Sequence, residues 1–173
     1  MTGALTVAEL DRAPEADARA LLAACCGAGP WIARMLAARP FGNRERLLAA
    51  ADRAWSELAP AEVAQAIAHH PRLGSAVAAA PLDERARRWS AGEQSGAQSA
   101  PEAARAALAA ANDAYERRFG HTFILCAVGL GAGEMLAALE RRLANDPDTE
   151  RAITARELHR ITRLRLEKLL AGD

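Results

Sequence analysis

Two short stretches of the 173-residue chain hold the side chains best suited to acid–base chemistry: His70-Pro71-Arg72-Leu73-Gly74 and Ser90-Ala91-Gly92-Glu93-Gln94. Histidine exchanges a proton near neutral pH, and the proline after His70 disfavours helical geometry there, so the sequence sets His70 at a helix end. Ser90, Glu93 and Gln94 stand at i, i+3 and i+4, so one helical turn turns a hydroxyl, a carboxylate and an amide the same way. Such a face can read a ring rich in N–H and C=O groups. The same spacing is also that of a capping box, with Ser90 as the cap and Glu93 as its partner, and His70 can equally be a satisfied, half-buried histidine. Local sequence leaves both readings open.

Other chemistries find less support. His69, His70, His121 and His159 have no zinc-type spacing to one another or to cysteine, so no metal site is expected. Gly129-Leu130-Gly131-Ala132-Gly133 follows no strand and reads as a helix break rather than a phosphate loop, and no nucleotide cofactor is expected. Lys and Arg number 22 against 22 Asp and Glu, interspersed, which argues against nucleic acid or an acidic membrane and for a small molecule or a protein as partner. Cys25, Cys26 and Cys126 make a poor disulfide framework and suit a reducing cytoplasm. The N-terminal residues do not read as a secretory signal, and the apolar run around Phe123–Gly133 is far too short to span a bilayer.

The elements that must hold these side chains read as helices. Hydrophobic residues make up 51% of the chain but aromatics only 4%, a composition of closely packed Ala/Leu helices. Thr6-x-x-Glu9 has the spacing of a capping box, Ala16 to Cys26 form a helix that Gly27 can end, Pro30 opens a segment to Ala38, and Asn43 caps one to about Leu58. Pro60 starts a short helix before His70. Residues 71–101, punctuated by Pro71, Gly74, Pro81, Gly92, Gly96 and Pro101, form the least regular part and are expected to be loop. Helix is expected again from Glu102 to Arg118, from Glu134 to Asn145 and from Pro147 to Leu170. Phe119–Val128 is apolar and ambiguous between strand and helix; having no strand to pair with, it is expected to be buried helix. The expectation is an all-α fold: one domain over residues 1–173 with seven or eight helices.

Taken in order, His70-Pro71, Ser90-x-x-Glu93-Gln94, Asn112-x-x-Tyr115, Phe119-Gly120-x-x-Phe123-Ile124, Arg142-Leu143-x-Asn145 and Arg163-Leu164-Arg165-Leu166 resemble the 2-oxo-4-hydroxy-4-carboxy-5-ureidoimidazoline (OHCU) decarboxylases. These act at the last step from urate to (S)-allantoin. The resemblance runs from about residue 60 to the C-terminus; before that it is one of helical pattern only. It implies an all-α enzyme, typically a homodimer, working on a small molecule without metal or organic cofactor. It makes His70 the catalytic acid beside Pro71, gives substrate contacts to Ser90, Glu93 and Gln94, and adds largely backbone contacts from Phe123, Ile124, Leu125, Cys126 and Ala127. It also implies an arginine of the last helix, for which Arg165 is the choice and Arg163 the neighbour. His121 departs from the pattern, standing where a second aromatic is often found.

The residue types suit the reaction so implied. Loss of CO2 needs an electron sink, and the conjugated imidazoline ring is its own, so the protein must hold, polarise and protonate. Glu93 would hydrogen-bond the substrate hydroxyl or orient His70, and Ser90 and Gln94 would fix the ureido group. A non-catalytic helical module binding a partner protein explains the Ala/Leu helices equally well, but not the ordered cluster; another ureido-ring substrate on the same fold is the third reading.

Overall fold

The computed structural model describes residues 5–75 and 84–171, and Pro81 lies outside them. Among the described residues the chain is helical and contains no strand, as expected, but the helices number ten rather than seven or eight. They are α1 (Val7–Arg12), α2 (Glu15–Cys25), α3 (Gly29–Ala37), α4 (Arg44–Ser56), α5 (Pro60–Ala68), α6 (Glu84–Glu93), α7 (Ser95–Gln98), α8 (Glu102–Phe119), α9 (Ala132–Leu143) and α10 (Pro147–Ala171). Two of them, α6 and α7, occupy the stretch expected to be loop. A buried stripe of Ala86, Trp89, Ser90 and Glu93 at i, i+3, i+4 and i+7 gives α6 the spacing of an amphipathic helix, and Gly92 is tolerated within it.

The caps form as the residue types predict. Thr6 Oγ1 accepts from Glu9 N at 3.2 Å while Thr6 N donates to the Glu9 carboxylate at 2.7 Å, and Asn43 Oδ1 accepts from Arg46 N at 2.9 Å. The chain divides into two compact units, one of Met1–Ala66 with His159–Asp173 and one of Ile67–Leu158. In the first, the α4 stripe of Leu47, Leu48 and Ala51 is buried, and Trp31 donates its indole N–H to Ala51 O at 3.3 Å. Asp11 accepts from Phe41 N at 2.8 Å and Gly42 N at 2.9 Å, which fixes the turn before α4.

The second unit packs Leu108 and Tyr115 of α8 and Met135 and Leu139 of α9 around Phe123, Ala127 and Leu73. Phe119–Val128 is not the buried helix expected. The α8 helix ends at Phe119 because Gly120 takes the left-handed conformation (φ 74°) and returns its N–H to Glu116 O at 2.8 Å. The residues after it run irregularly beneath α8 and α9. The run is apolar because it is buried, and periodicity cannot tell that from helix.

A polar network lies in this apolar unit. Glu150 has none of its side chain exposed; it pairs with Arg142 at 2.6 Å, accepts from Asn145 Nδ2 at 2.8 Å and receives the Tyr115 hydroxyl. Burial acts to raise its pKa, but the bonds from Arg142, Tyr115 and Asn145 outweigh it and hold the carboxyl below its ordinary 4.5. A depressed carboxylate stabilises the fold in full above its unfolded pKa, and that stability is lost as pH falls through the folded value. Urea unfolding from pH 7 downward should therefore show the protein losing stability on the acid side of 4.5, with Glu150→Gln less stable at pH 7 and flatter in pH. Equal slopes in the two proteins would remove Glu150 as the source.

Candidate active site

His70 follows α5 directly and is buried, with its backbone N–H donated to Ile67 O at 3.0 Å. Its ring Nδ1 lies 3.0 Å from Pro71 O; a carbonyl only accepts, so the proton on that side sits at Nδ1. The segment beyond turns at Gly74, whose φ of 76° suits glycine. Its N–H donates to Gln94 Oε1 at 2.8 Å. From the other side Asn112 Nδ2 donates to Leu73 O at 3.1 Å and to Leu108 O at 3.0 Å. Arg72 adds an ion pair to Asp113 at 2.5 Å and another to Glu116 at 3.2 Å. The His70–Gly74 segment is thus held between the end of α6 and the flank of α8.

Ser90, Glu93 and Gln94 are all buried, at 7%, 5% and 5% exposure. Ser90 is in the last half of α6 rather than before a helix, so it is not a cap: α6 starts six residues earlier, at Glu84. The shared face expected from the spacing exists, with Gln94 N completing the turn to Ser90 O at 3.1 Å. Immediately after it, α7 presses against the turn that follows Ala127. A Cβ on Gly96 would stand 2.1 Å from Leu130 O, a distance no side chain can occupy without a backbone shift.

Phe123 and Ile124 are fully buried, Ala127 nearly so, while Leu125 and Cys126 are half-buried. Two side chains hold their backbone. Arg142 donates to Ile124 O at 2.5 Å, and Glu157 accepts from Cys126 N at 3.0 Å. The structure thus joins the His70 segment to Gln94 and brings α7 against the turn that follows Phe123–Ala127. Asn112 and Arg142 stand in the sequence only as pattern; the signal that marks them is a polar residue in register with an apolar helical stripe, Leu108 and Tyr115 for the first and Met135, Ala138 and Leu139 for the second. The His121 ring meets Tyr115 edge-on at 5.5 Å and lies 6.3 Å from Phe119, so it packs as an aromatic here. His69 is exposed.

Arg165 belongs to the other unit, where it is buried on α10. There Cys26 is pushed up to about 11 by burial, against the opposing pull of Ala28, Thr162 and Arg165. Arg163 is committed to Asp52 at 2.5 Å, beside the His159–Asp52 bond at 2.9 Å. Among the described residues no group of three His, Cys, Asp or Glu side chains is arranged to hold a metal ion.

A family model described as OHCU decarboxylase matches residues 11–167, which takes in both units. The chain belongs to the OHCU decarboxylase family. It is 34% identical over 147 residues to the uric acid degradation bifunctional protein TTL of Arabidopsis thaliana, covering 85% of this chain and 45% of that protein. It is 37% identical over 59 residues to the 2-oxo-4-hydroxy-4-carboxy-5-ureidoimidazoline decarboxylase of Amia calva, covering 34% of each. The matches therefore span less than half the length of these curated relatives. A crystal structure of an OHCU decarboxylase in the presence of (S)-allantoin superposes with a TM-score of 0.75 at 27% identity, covering 88% of this chain and 99% of that one. A crystal structure of (S)-allantoin synthase gives 0.69 at 21% identity over 96% of this chain and 54% of that one, a likeness of fold.

The two glycines beside this cluster should answer oppositely to alanine. Gly92→Ala has open space for its methyl and sits inside α6, so it should stabilise by about 0.5–1 kcal/mol; Gly96→Ala must move backbone and should cost about 1–3 kcal/mol. Urea unfolding of both variants measures this, and equal effects would deny the close approach of α7 to Leu130.

Proposed function

We propose that the chain is a carbon–carbon lyase that converts 2-oxo-4-hydroxy-4-carboxy-5-ureidoimidazoline to (S)-allantoin and CO2 in urate degradation. The observation that carries this is the buried polar face of α6, tied through Gln94 to the segment of His70, in a chain of this family. The electron pair of the breaking C–CO2 bond passes into the conjugated ring. The resulting enol then becomes the ketone as the neighbouring carbon takes a proton. His70 delivers that proton from Nε2 to one face while Pro71 O holds Nδ1. Glu93 accepts the hydrogen bond of the substrate hydroxyl or orients His70. Ser90 and Gln94 fix the ureido group, Gln94 through its Nε2 donors because Oε1 is committed to Gly74. Pro71 and the backbone of Phe123, Ile124, Leu125, Cys126 and Ala127 complete the contacts.

Arg165 enters the proposal on the family pattern. An arginine that held the departing carboxylate equally in ground and transition states would not speed its loss, so its useful partner is oxygen that gains charge. We further propose that the reaction needs no metal or organic cofactor, that residues 1–173 act as one domain, and that the protein is a homodimer in a reducing compartment such as the cytoplasm. Two features support parts of this: the family model covers both units, and none of the three cysteines is joined in a disulfide. Among the described residues no helix is long and apolar enough to cross a membrane. Val128 is the large apolar side chain left exposed among the described residues.

The assay follows freshly made OHCU to allantoin by circular dichroism, which reports rate and handedness together. The spontaneous product is racemic, because water protonates the planar intermediate from either face. Purified protein should give (S)-allantoin, and His70→Asn should fall by about 10²–10⁴-fold and lose the optical excess. No acceleration by the wild type sinks the proposal, and conversion of a different ureido ring in its place redirects it.

The arginine is tested separately. Arg165→Lys keeps the charge but not the planar fork, and should lose most activity, whereas Arg163→Lys should keep it. The reverse outcome moves the role to Arg163.

A further inference from the structure

We propose that Arg142 is a positioning residue for substrate binding, acting through the carbonyl of Ile124. The inference rests on the preceding reading, in which the backbone of Phe123–Ala127 meets the substrate. This segment lies between the left-handed Gly120 and the turn at Leu130 and belongs to neither helix nor sheet, so side chains must set its shape. Arg142 is suited to that task. Its Nε donates to Glu150 at 2.8 Å, its Nη1 to Ile124 O at 2.5 Å and its Nη2 to Thr154 Oγ1 at 2.9 Å. Its guanidinium carbon also lies 4.5 Å from the centre of the Phe123 ring.

One rigid plane therefore touches residues 123 and 124 and two oxygens of α10 at once. Glu150 is in turn fixed by Tyr115 and by Asn145 at 2.8 Å. The Ile124 carbonyl cannot shift without bending a bond that Arg142 makes elsewhere. A purely structural ion pair would not need this geometry, since a buried pair contributes little net stability over an apolar replacement. A donor aimed at a main-chain carbonyl of the binding segment makes sense as placement.

The test compares Arg142→Lys with Thr154→Val. Lysine keeps the charge but cannot reach three partners in one plane. The segment is proposed to bind the substrate equally before and during reaction, so KM should rise by about tenfold in Arg142→Lys with kcat changing less than about threefold. Thr154→Val leaves the Glu150 pair intact and should raise KM in the same direction by less. Amide hydrogen exchange at Phe123–Ala127, read without substrate, should quicken in both variants relative to the rest of the second unit. Unchanged KM and unchanged local exchange, with only a lower melting temperature, overturn the proposal. Should Arg142→Lys fail to fold, Thr154→Val decides by the same two readouts. A wild type inactive on OHCU overturns the activity reading, and the exchange measurement then decides by itself whether Arg142 sets the segment.

Discussion

A guanidinium with 9% of its side chain exposed, beside a carboxylate with none, is stable in an apolar unit only while every donor and acceptor is answered. Arg142 and Glu150 meet that condition by recruiting Tyr115, Asn145, Thr154 and a main-chain carbonyl. Burial and the bond to Glu150 push the Tyr115 hydroxyl well above its ordinary 10.0, so it stays protonated and serves Glu150 as a donor. Removing any one member strands a charge or a polar atom, so α8, α9, the start of α10 and the segment after Gly120 are bound to one arrangement.

The pattern residues outside the reaction acquire a physical meaning from this network. Asn112 and Tyr115 lie three residues apart on α8 and share its inner side. The first holds Leu73 O, beside the turn that leads from His70, and the second holds Glu150, which anchors the guanidinium that grips Ile124 O. One helix face thus anchors both chain segments on which the proposed chemistry depends. Asn112-x-x-Tyr115 and Arg142-x-x-Asn145 are framework: the first spacing is that of one face of α8, and in the second Arg142 stands on α9 while Asn145 follows just beyond its end. Arg72 adds to the same docking, though its ion pairs are partly exposed, at 33% for the arginine, and count for less.

Much of this was legible in the sequence. Thr6, Asn43, Pro30 and Pro60 mark helix starts because a cap or a fixed φ acts locally, and those helices begin within a residue or two of expectation. The spacing of Ser90, Glu93 and Gln94 put them on one face, and that face exists. Two segments misled. The run from Phe119 to Val128 looked helical because a buried segment carries apolar side chains whatever its backbone conformation; what ended the helix was one glycine at positive φ, and what replaced its ladder was Arg142 and Glu157, distant in sequence. Residues 84–98 looked like loop because half of the α6 stripe is polar and two glycines interrupt the pattern.

The stripe itself says why. A helix selected for packing alone would place apolar residues at all four of Ala86, Trp89, Ser90 and Glu93, and α6 does so only in its first half. Burying a hydroxyl, a carboxylate and an amide in place of leucine lowers stability or at best breaks even, since each must be given a partner that water supplied without cost. Gln94 shows the form that partner takes: its oxygen holds the turn at Gly74. Polar groups kept inside at such positions, next to the end of a histidine segment, are what the proposed chemistry requires and packing alone does not. The features that hid α6 from a periodicity reading are therefore the ones that make it the candidate site.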